Sequence, residues 1–165
     1  MSTFMCVKPA GWLVTPQRAL FMAKHLWLQE LTTDIVLDKA RQFCGNDIFA
    51  PGLSGPVLGD RIEAEFLRCL DDYDLTGKGP ADLATINVDI KALQLRGSRG
   101  GSAKIHGYSK GGPPTYSLLI FTYTYDGESI HIIAAHFIPN ERVKWVQAEH
   151  YLFSLPDRNL EEFVI

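Results

Sequence analysis

Asp82, Asp89 and Lys91 are the residues of this chain whose types and spacing best suit bond-breaking chemistry. They lie in the run Gly79-Pro80-Ala81-Asp82 and the Leu83 to Lys91 segment that follows it. Val88-Asp89-Ile90-Lys91 has the pattern of a strand. Alternate strand side chains face opposite ways, so Asp89 and Lys91 project together while Ile90 points into a core. An acid beside an ammonium, with a second acid one hairpin away, suits divalent-metal chemistry on a phosphodiester. Carboxylate oxygens are hard ligands for a hard cation, and the ammonium can polarise an attacking water or neutralise charge that builds on the phosphate. The plainer alternative is an acid and a base that stabilise the outer face of a sheet. No other lysine of the chain has an acid two residues before it.

The elements that must position these groups are legible in outline. From Thr15-Pro16 to about Thr32, leucines, Phe21, Met22 and Trp27 recur at helical spacing behind a capping threonine and a first-turn proline. Thr33-Asp34 opens a second amphipathic stretch through Val36, Leu37, Ala40 and Phe43, which Cys44-Gly45-Asn46 ends. After a loop rich in glycine and proline, Val57 to Leu70 predicts a third helix that carries Glu63 and Glu65. Thr85 to Leu95 is β-like, and Arg96 to Gly112 reads as a long basic, glycine-rich loop. Tyr116 to Tyr125 and Ser129 to Ile138 form a hairpin about Asp126-Gly127. Glu141 to Leu152 is helical or mixed in character. The expectation is a single α+β domain over 1–165, with a helical packing or dimerisation module at 1–50 and a catalytic core at 55–140.

Glu63 supplies a third acid: it stands on the helix that precedes the Asp82 to Lys91 hairpin, where Ile62 and Phe66 would fix that helix against the sheet. Glu65 is a weaker substitute, because two residues along a helix faces elsewhere. A glutamate on a helix, an aspartate and then acid-x-lysine resembles the PD-(D/E)XK nucleases, which include many type II restriction endonucleases. The likeness covers roughly Leu58 to Gln94. The Leu-Gly-x-x-x-Glu helix and the short gap from Asp82 to Asp89 look most like the branch that contains the mismatch-repair strand-nicking endonuclease. The resemblance implies a restriction-endonuclease-like mixed sheet flanked by helices. It also implies Mg2+ (with Mn2+ as a substitute) on Asp82 and Asp89, Glu63 as a supporting ligand, and Lys91 acting on the nucleophilic water. Ala81 separates Pro80 from Asp82 where the motif has the two adjacent, so Asp74 is the alternative second acid.

The basic segment directly after the catalytic strand suits double-stranded DNA. Gln94, Arg96, Arg99, Lys104, His106 and Lys110 are its candidate contacts, since arginine and lysine hold phosphates or read guanine edges while glycines admit a close backbone. The plainer alternative is a solvated loop. A small body that reads and cuts a palindrome would act as a homodimer. A monomeric repair-type nickase and a catalytically inert DNA- or protein-binding domain are the rival expectations.

Other signals exclude more than they suggest. The Gly52 to Gly59 segment lacks the Gly-Lys-Ser/Thr ending of a phosphate loop, which removes a nucleoside triphosphatase. His131 and His136, five apart in a strand, should face opposite ways and share no metal. The chain has 165 residues and a net charge of -3, with 46% hydrophobic and 21% charged residues, as expected of one globular domain. Cys6, Cys44 and Cys69 have no zinc-site or redox spacing, which predicts reduced thiols and a cytoplasmic setting. Lys8 and Pro9 interrupt any signal-peptide core, and no apolar run is long enough for a membrane span.

Overall fold

Two β-sheets and a pair of helices make up the computed structural model of the protein, which describes residues 16–95, 102–148 and 150–165. The fold class is α+β. Helix α1 runs Pro16–Phe43 and α2 runs Gly55–Arg68. The first sheet has the order β1-β5-β4-β2, from β1 (Asp47–Phe49), β2 (Val88–Gln94), β4 (Ser117–Tyr125) and β5 (Ser129–Ile138). It is mixed: β2 lies parallel to β4, and the other two pairings are antiparallel. The second sheet is antiparallel, in the order β3-β7-β6, from β3 (Ser102–Gly107), β6 (Val146–Gln147) and β7 (Tyr151–Pro156).

Strand β4 is the centre of the molecule because both of its faces are covered. Leu119, Phe121 and Tyr123 join the helices in one core, while Leu118 and Ile120 join the second sheet in another. Phe43 of α1, Phe66 of α2 and Phe121 meet with ring centroids 4.8–5.3 Å apart, so one aromatic cluster fixes both helices to the sheet. Leu58, Ile62 and Phe66 recur every four residues along α2 and are all buried, which sets that helix's rotation. The second core holds Ile105, Tyr116, Ile138, Phe153 and Leu160. Trp145 lies between Tyr116 and Phe153 at its margin, as a packing residue.

Several expectations change. The two N-terminal helices are one. The Thr32 and Thr33 hydroxyls donate back to the carbonyls of Leu28 and Gln29, at 2.6 and 2.8 Å. The threonine pair is thereby absorbed into the helix instead of capping a new one. Residues 47–49 form a strand paired with β5, so the end of the 1–50 segment belongs to the sheet. The basic loop contains β3, whose Ile105 is buried and whose register is set by β7. Arg96 and Arg99 lie outside the described residues, as does Cys6; Cys44 and Cys69 are free thiols.

His131 and His136 also depart from the alternation expected of them. A bulge opposite Thr122 and Tyr123 adds a residue to β5, so Ile132 and Ala135, three apart, both enter the first core. The two histidines then share the other face, and they still have separate partners. His131 bonds Asp47 and Asp126 at 2.7 and 3.1 Å, whereas buried His136 bonds the Leu160 carbonyl at 2.8 Å and faces Thr122. Among the described residues no helix is long and apolar enough to cross a membrane.

Candidate active site

Strand β2 forms an edge of the first sheet, and the chemistry-bearing residues gather there. Val88 and Ile90 enter the helix-side core, which turns Asp89 and Lys91 to the opposite face. Asp89 is 4% exposed. Its Oδ2 lies 2.7 Å from Lys91 Nζ, which also donates to the Ile90 carbonyl at 2.9 Å.

Asp82 reaches the same strand from the preceding loop. Leu83 pairs with Val88 as an isolated antiparallel bridge, and Asn87, with φ of 57°, makes the tight turn between them. That turn brings the Asp82 carboxylate to the free edge of β2, where Oδ2 accepts from the Ile90 amide at 2.8 Å. The Asp82 amide in turn donates to Asp89 Oδ1 at 3.3 Å. Asp82 therefore satisfies a strand amide that has no neighbouring strand. Asp74 is exposed, whereas Asp82 bonds both Asp89 and the Ile90 amide, so Asp82 is the second acid of the cluster.

Glu63 stands at the flank of the buried stripe of α2, half-buried and facing the β2 edge. Glu65 is committed elsewhere, to ion pairs with Arg61 at 3.0 Å and Arg68 at 3.1 Å. Glu63, Lys91, Gln94, Lys104 and His106 all line one open cleft of about 430 Å³. Asp60 lines it too, a residue that its i,i+3 spacing from Glu63 could have indicated. Lys110 borders a separate hollow with Gly79, Pro80 and Tyr108. His106 stacks edge-on with His150, their centroids 6.2 Å apart.

The electrostatics follow from three carboxylates around one ammonium. Burial pushes the Glu63 carboxyl from 4.5 up to about 7; Lys91 opposes the rise, and Asp82, Asp89 and Asp60 add to it. Burial likewise raises Asp89 from 3.8 to about 6 against the pull of Lys91. Burial disfavours the Lys91 ammonium, yet Asp89 in contact, with Asp82 and Glu63 behind it, outweighs that effect and holds its pKa above the ordinary lysine value. Lys91 is a cation at neutral pH, whereas Glu63 is poised to gain or lose a proton there.

Once Glu63 releases its proton, the three carboxylates carry two negative charges more than the lysine neutralises and form a hard-oxygen donor set, chemically suited to a divalent cation. Their arrangement is less open than their chemistry. One Asp89 oxygen is held by Lys91 and one Asp82 oxygen by the Ile90 amide. Among the described residues no three acid, histidine or cysteine side chains converge closely enough to hold a metal ion. A cation shared by Asp82, Asp89 and Glu63 therefore requires the Lys91 contact to loosen. No protein-family model, curated protein or solved structure matches this chain.

Proposed function

We propose that this chain is a Mg2+-dependent endonuclease that hydrolyses phosphodiester bonds of double-stranded DNA to 5′-phosphate and 3′-hydroxyl ends, in the manner of a type II restriction enzyme of the PD-(D/E)XK kind. The observation that carries the proposal is the 2.7 Å Asp89–Lys91 pair, with Asp82 bonded to the same strand and Lys91 and Glu63 lining a cleft that bears Lys104 and His106. A magnesium ion held by Asp82, Asp89 and Glu63 would polarise the phosphate and acidify a bound water.

The protein's own groups divide the remaining work. Lys104 and Gln94 hold the phosphate backbone and sugar along the cleft, with Arg96 and Arg99 as further candidate contacts. Lys91, fully protonated, neutralises charge as it develops on the phosphate. Lys91 also orients the attacking water, whose proton passes to solvent, while Glu63 must give up its own proton to support the cation. The water oxygen bonds to phosphorus as the bond to the 3′ oxygen breaks. That oxygen leaves and takes up a proton, which gives the hydroxyl end.

The engagement of Asp89 by Lys91 favours a second reading, a catalytically inert DNA-binding domain whose acids only balance neighbouring bases. Incubation of supercoiled plasmid with magnesium or EDTA separates the two. Magnesium-dependent linear product that is lost in Asp89→Asn supports the endonuclease, accumulation of nicked circles alone supports a nickase, and retained DNA binding with intact plasmid supports the inert domain.

A further inference from the structure

The loop between β3 and β4 borders a second concavity, apart from the cleft of the acids. It is an open hollow of about 560 Å³, lined by Gly79 and Pro80 of the loop that leads to Asp82 and by Tyr108 and Lys110 of the loop that leaves β3. That volume is in the range that takes a nucleoside-sized ligand. Tyr108 is 64% exposed, so its ring offers an aromatic face to the hollow that a stacked ligand would remove from water.

Tyr108 is held in place in spite of its exposure. Its amide donates to the hydroxyl of the buried Tyr116 at 3.0 Å. At the far end of the loop the Thr115 carbonyl accepts from the side-chain amides of Asn87 and Asn140, at 3.0 and 3.1 Å. Asn87 makes the turn into β2, so the loop that carries Tyr108 is tied to the turn that places Asp82 and Asp89. Burial raises the Tyr116 phenol, and Asp89 and Asp82 add to the rise against Lys91, which sets the hydroxyl that anchors Tyr108 within the field of the acids. Lys104, His106, Tyr108 and Lys110 occupy alternate positions of one stretch, the first two in the cleft of the acids and the last two in the hollow. One nucleic-acid strand laid along that stretch would pass from the cleft into the hollow.

We propose that the hollow is a subsite for an unpaired DNA base, which stacks on Tyr108 beside Pro80 while Lys110 holds a phosphate of the same strand. The inference rests on the reading of the acids as a phosphodiester site on DNA. A base within an intact duplex has both faces covered by its neighbours, so only a bulged, mismatched or extruded base can present one to Tyr108. Stacking is tolerant of base identity, because every base has a π-face. The subsite therefore selects DNA by structure, as a duplex with one base out of the stack beside the strand held in the cleft.

Fluorescence anisotropy with fluorescein-labelled duplexes in EDTA reads binding without cleavage. One duplex is fully paired; the other has the same sequence with a single extra 2-aminopurine in one strand. The wild type should bind the bulged duplex more tightly and quench its 2-aminopurine emission. Tyr108→Ala should weaken binding of the bulged duplex roughly 5- to 150-fold, the worth of one base on an aromatic ring, abolish the quenching and leave the paired duplex nearly unchanged. Tyr108→Phe, which keeps the ring, should behave as the wild type. Lys110→Ala should weaken binding of the bulged duplex and lower its salt slope by about one. Circular dichroism should not change in any of these variants, because both residues are exposed. Equal affinity of the wild type for the two duplexes, or a Tyr108→Ala variant that still prefers and quenches the bulged one, would overturn the subsite and leave DNA binding in place. Failure to bind either duplex would refute the DNA reading itself and the subsite with it.

Discussion

Replacing Glu63 by glutamine should make the protein more stable at alkaline pH and leave it unchanged in acid. The Glu63 carboxyl rises from 4.5 to about 7 on folding, chiefly through burial. Below about pH 4.5 the folded and unfolded chains both carry the proton. Between there and about 7 the folded chain keeps a proton that the unfolded chain has released, so stability falls as pH rises through that window and levels off above it. Two and a half units are worth roughly 3 kcal/mol. Glu63 keeps part of its surface in water, and screening reduces this to about 1–2 kcal/mol. Glutamine fills the same space without the charge.

Urea unfolding of wild type and Glu63→Gln at several pH values from 4.5 to 8.5, followed by tryptophan fluorescence, reads the difference directly. The two curves should coincide at the acid end and separate through pH 7, with the variant about 1–2 kcal/mol more stable at pH 8. Asp89, raised to about 6, imposes the same downward trend on both proteins between pH 4 and 6 and so cancels in the comparison. Magnesium adds a second arm. A cation competes with the proton for Glu63, and at about ten times its Kd it should return roughly 1.4 kcal/mol to the wild type at pH 8 and much less to the variant. A gap of the same size at every pH, or a wild type more stable than the variant at pH 8, would refute the burial argument.

Lys91→Ala strips Asp89 of its 2.7 Å partner. It should lower stability by about 1–3 kcal/mol at pH 8, discounted for the partial exposure of Lys91, and by much less at pH 4.5 where Asp89 is protonated; urea curves at the two pH values check this. Gly107→Ala should destabilise by about 1–3 kcal/mol, since its new methyl would lie 2.6–2.8 Å from the Trp145 ring and Pro114, and thermal unfolding reports it. Gly59→Ala is the matched control. Its methyl meets only Ala92 at 3.9 Å inside α2, so it should raise stability by about 0.5–1 kcal/mol.

Local signals carried much of the fold. Asp126-Gly127 marks the hairpin, where Gly127 takes φ of 101° and the Asp126 carboxylate accepts the Glu128 and Ser129 amides at 2.9 and 2.7 Å. Leu58, Ile62 and Phe66 mark α2. Less local features stayed hidden. Among its described side chains strand β3 has one large apolar residue, the buried Ile105, and its partner strand begins more than forty residues later, so its sequence resembles a loop. At Gly107, a glycine of the basic segment, the space a side chain would take is filled by Trp145 and Pro114.

Within the candidate site, alternation along β2 was enough to place Asp89 and Lys91 on one face. The bond from the Ile90 amide to Asp82 was not legible, because it depends on which edge of the sheet lacks a neighbouring strand. Nor was the poise of Glu63, which arises from burial at a helix flank and from Asp82 and Asp89, two acids brought near it by tertiary packing.

Cleavage of linear phage DNA by purified protein, with magnesium or EDTA and with Lys91→Ala alongside wild type, tests the central proposal most directly. Discrete magnesium-dependent fragments are expected from the wild type and none from a folded Lys91→Ala variant that still binds DNA. Intact DNA at high protein concentration on several DNA sources, or equal cleavage by Lys91→Ala, would contradict it.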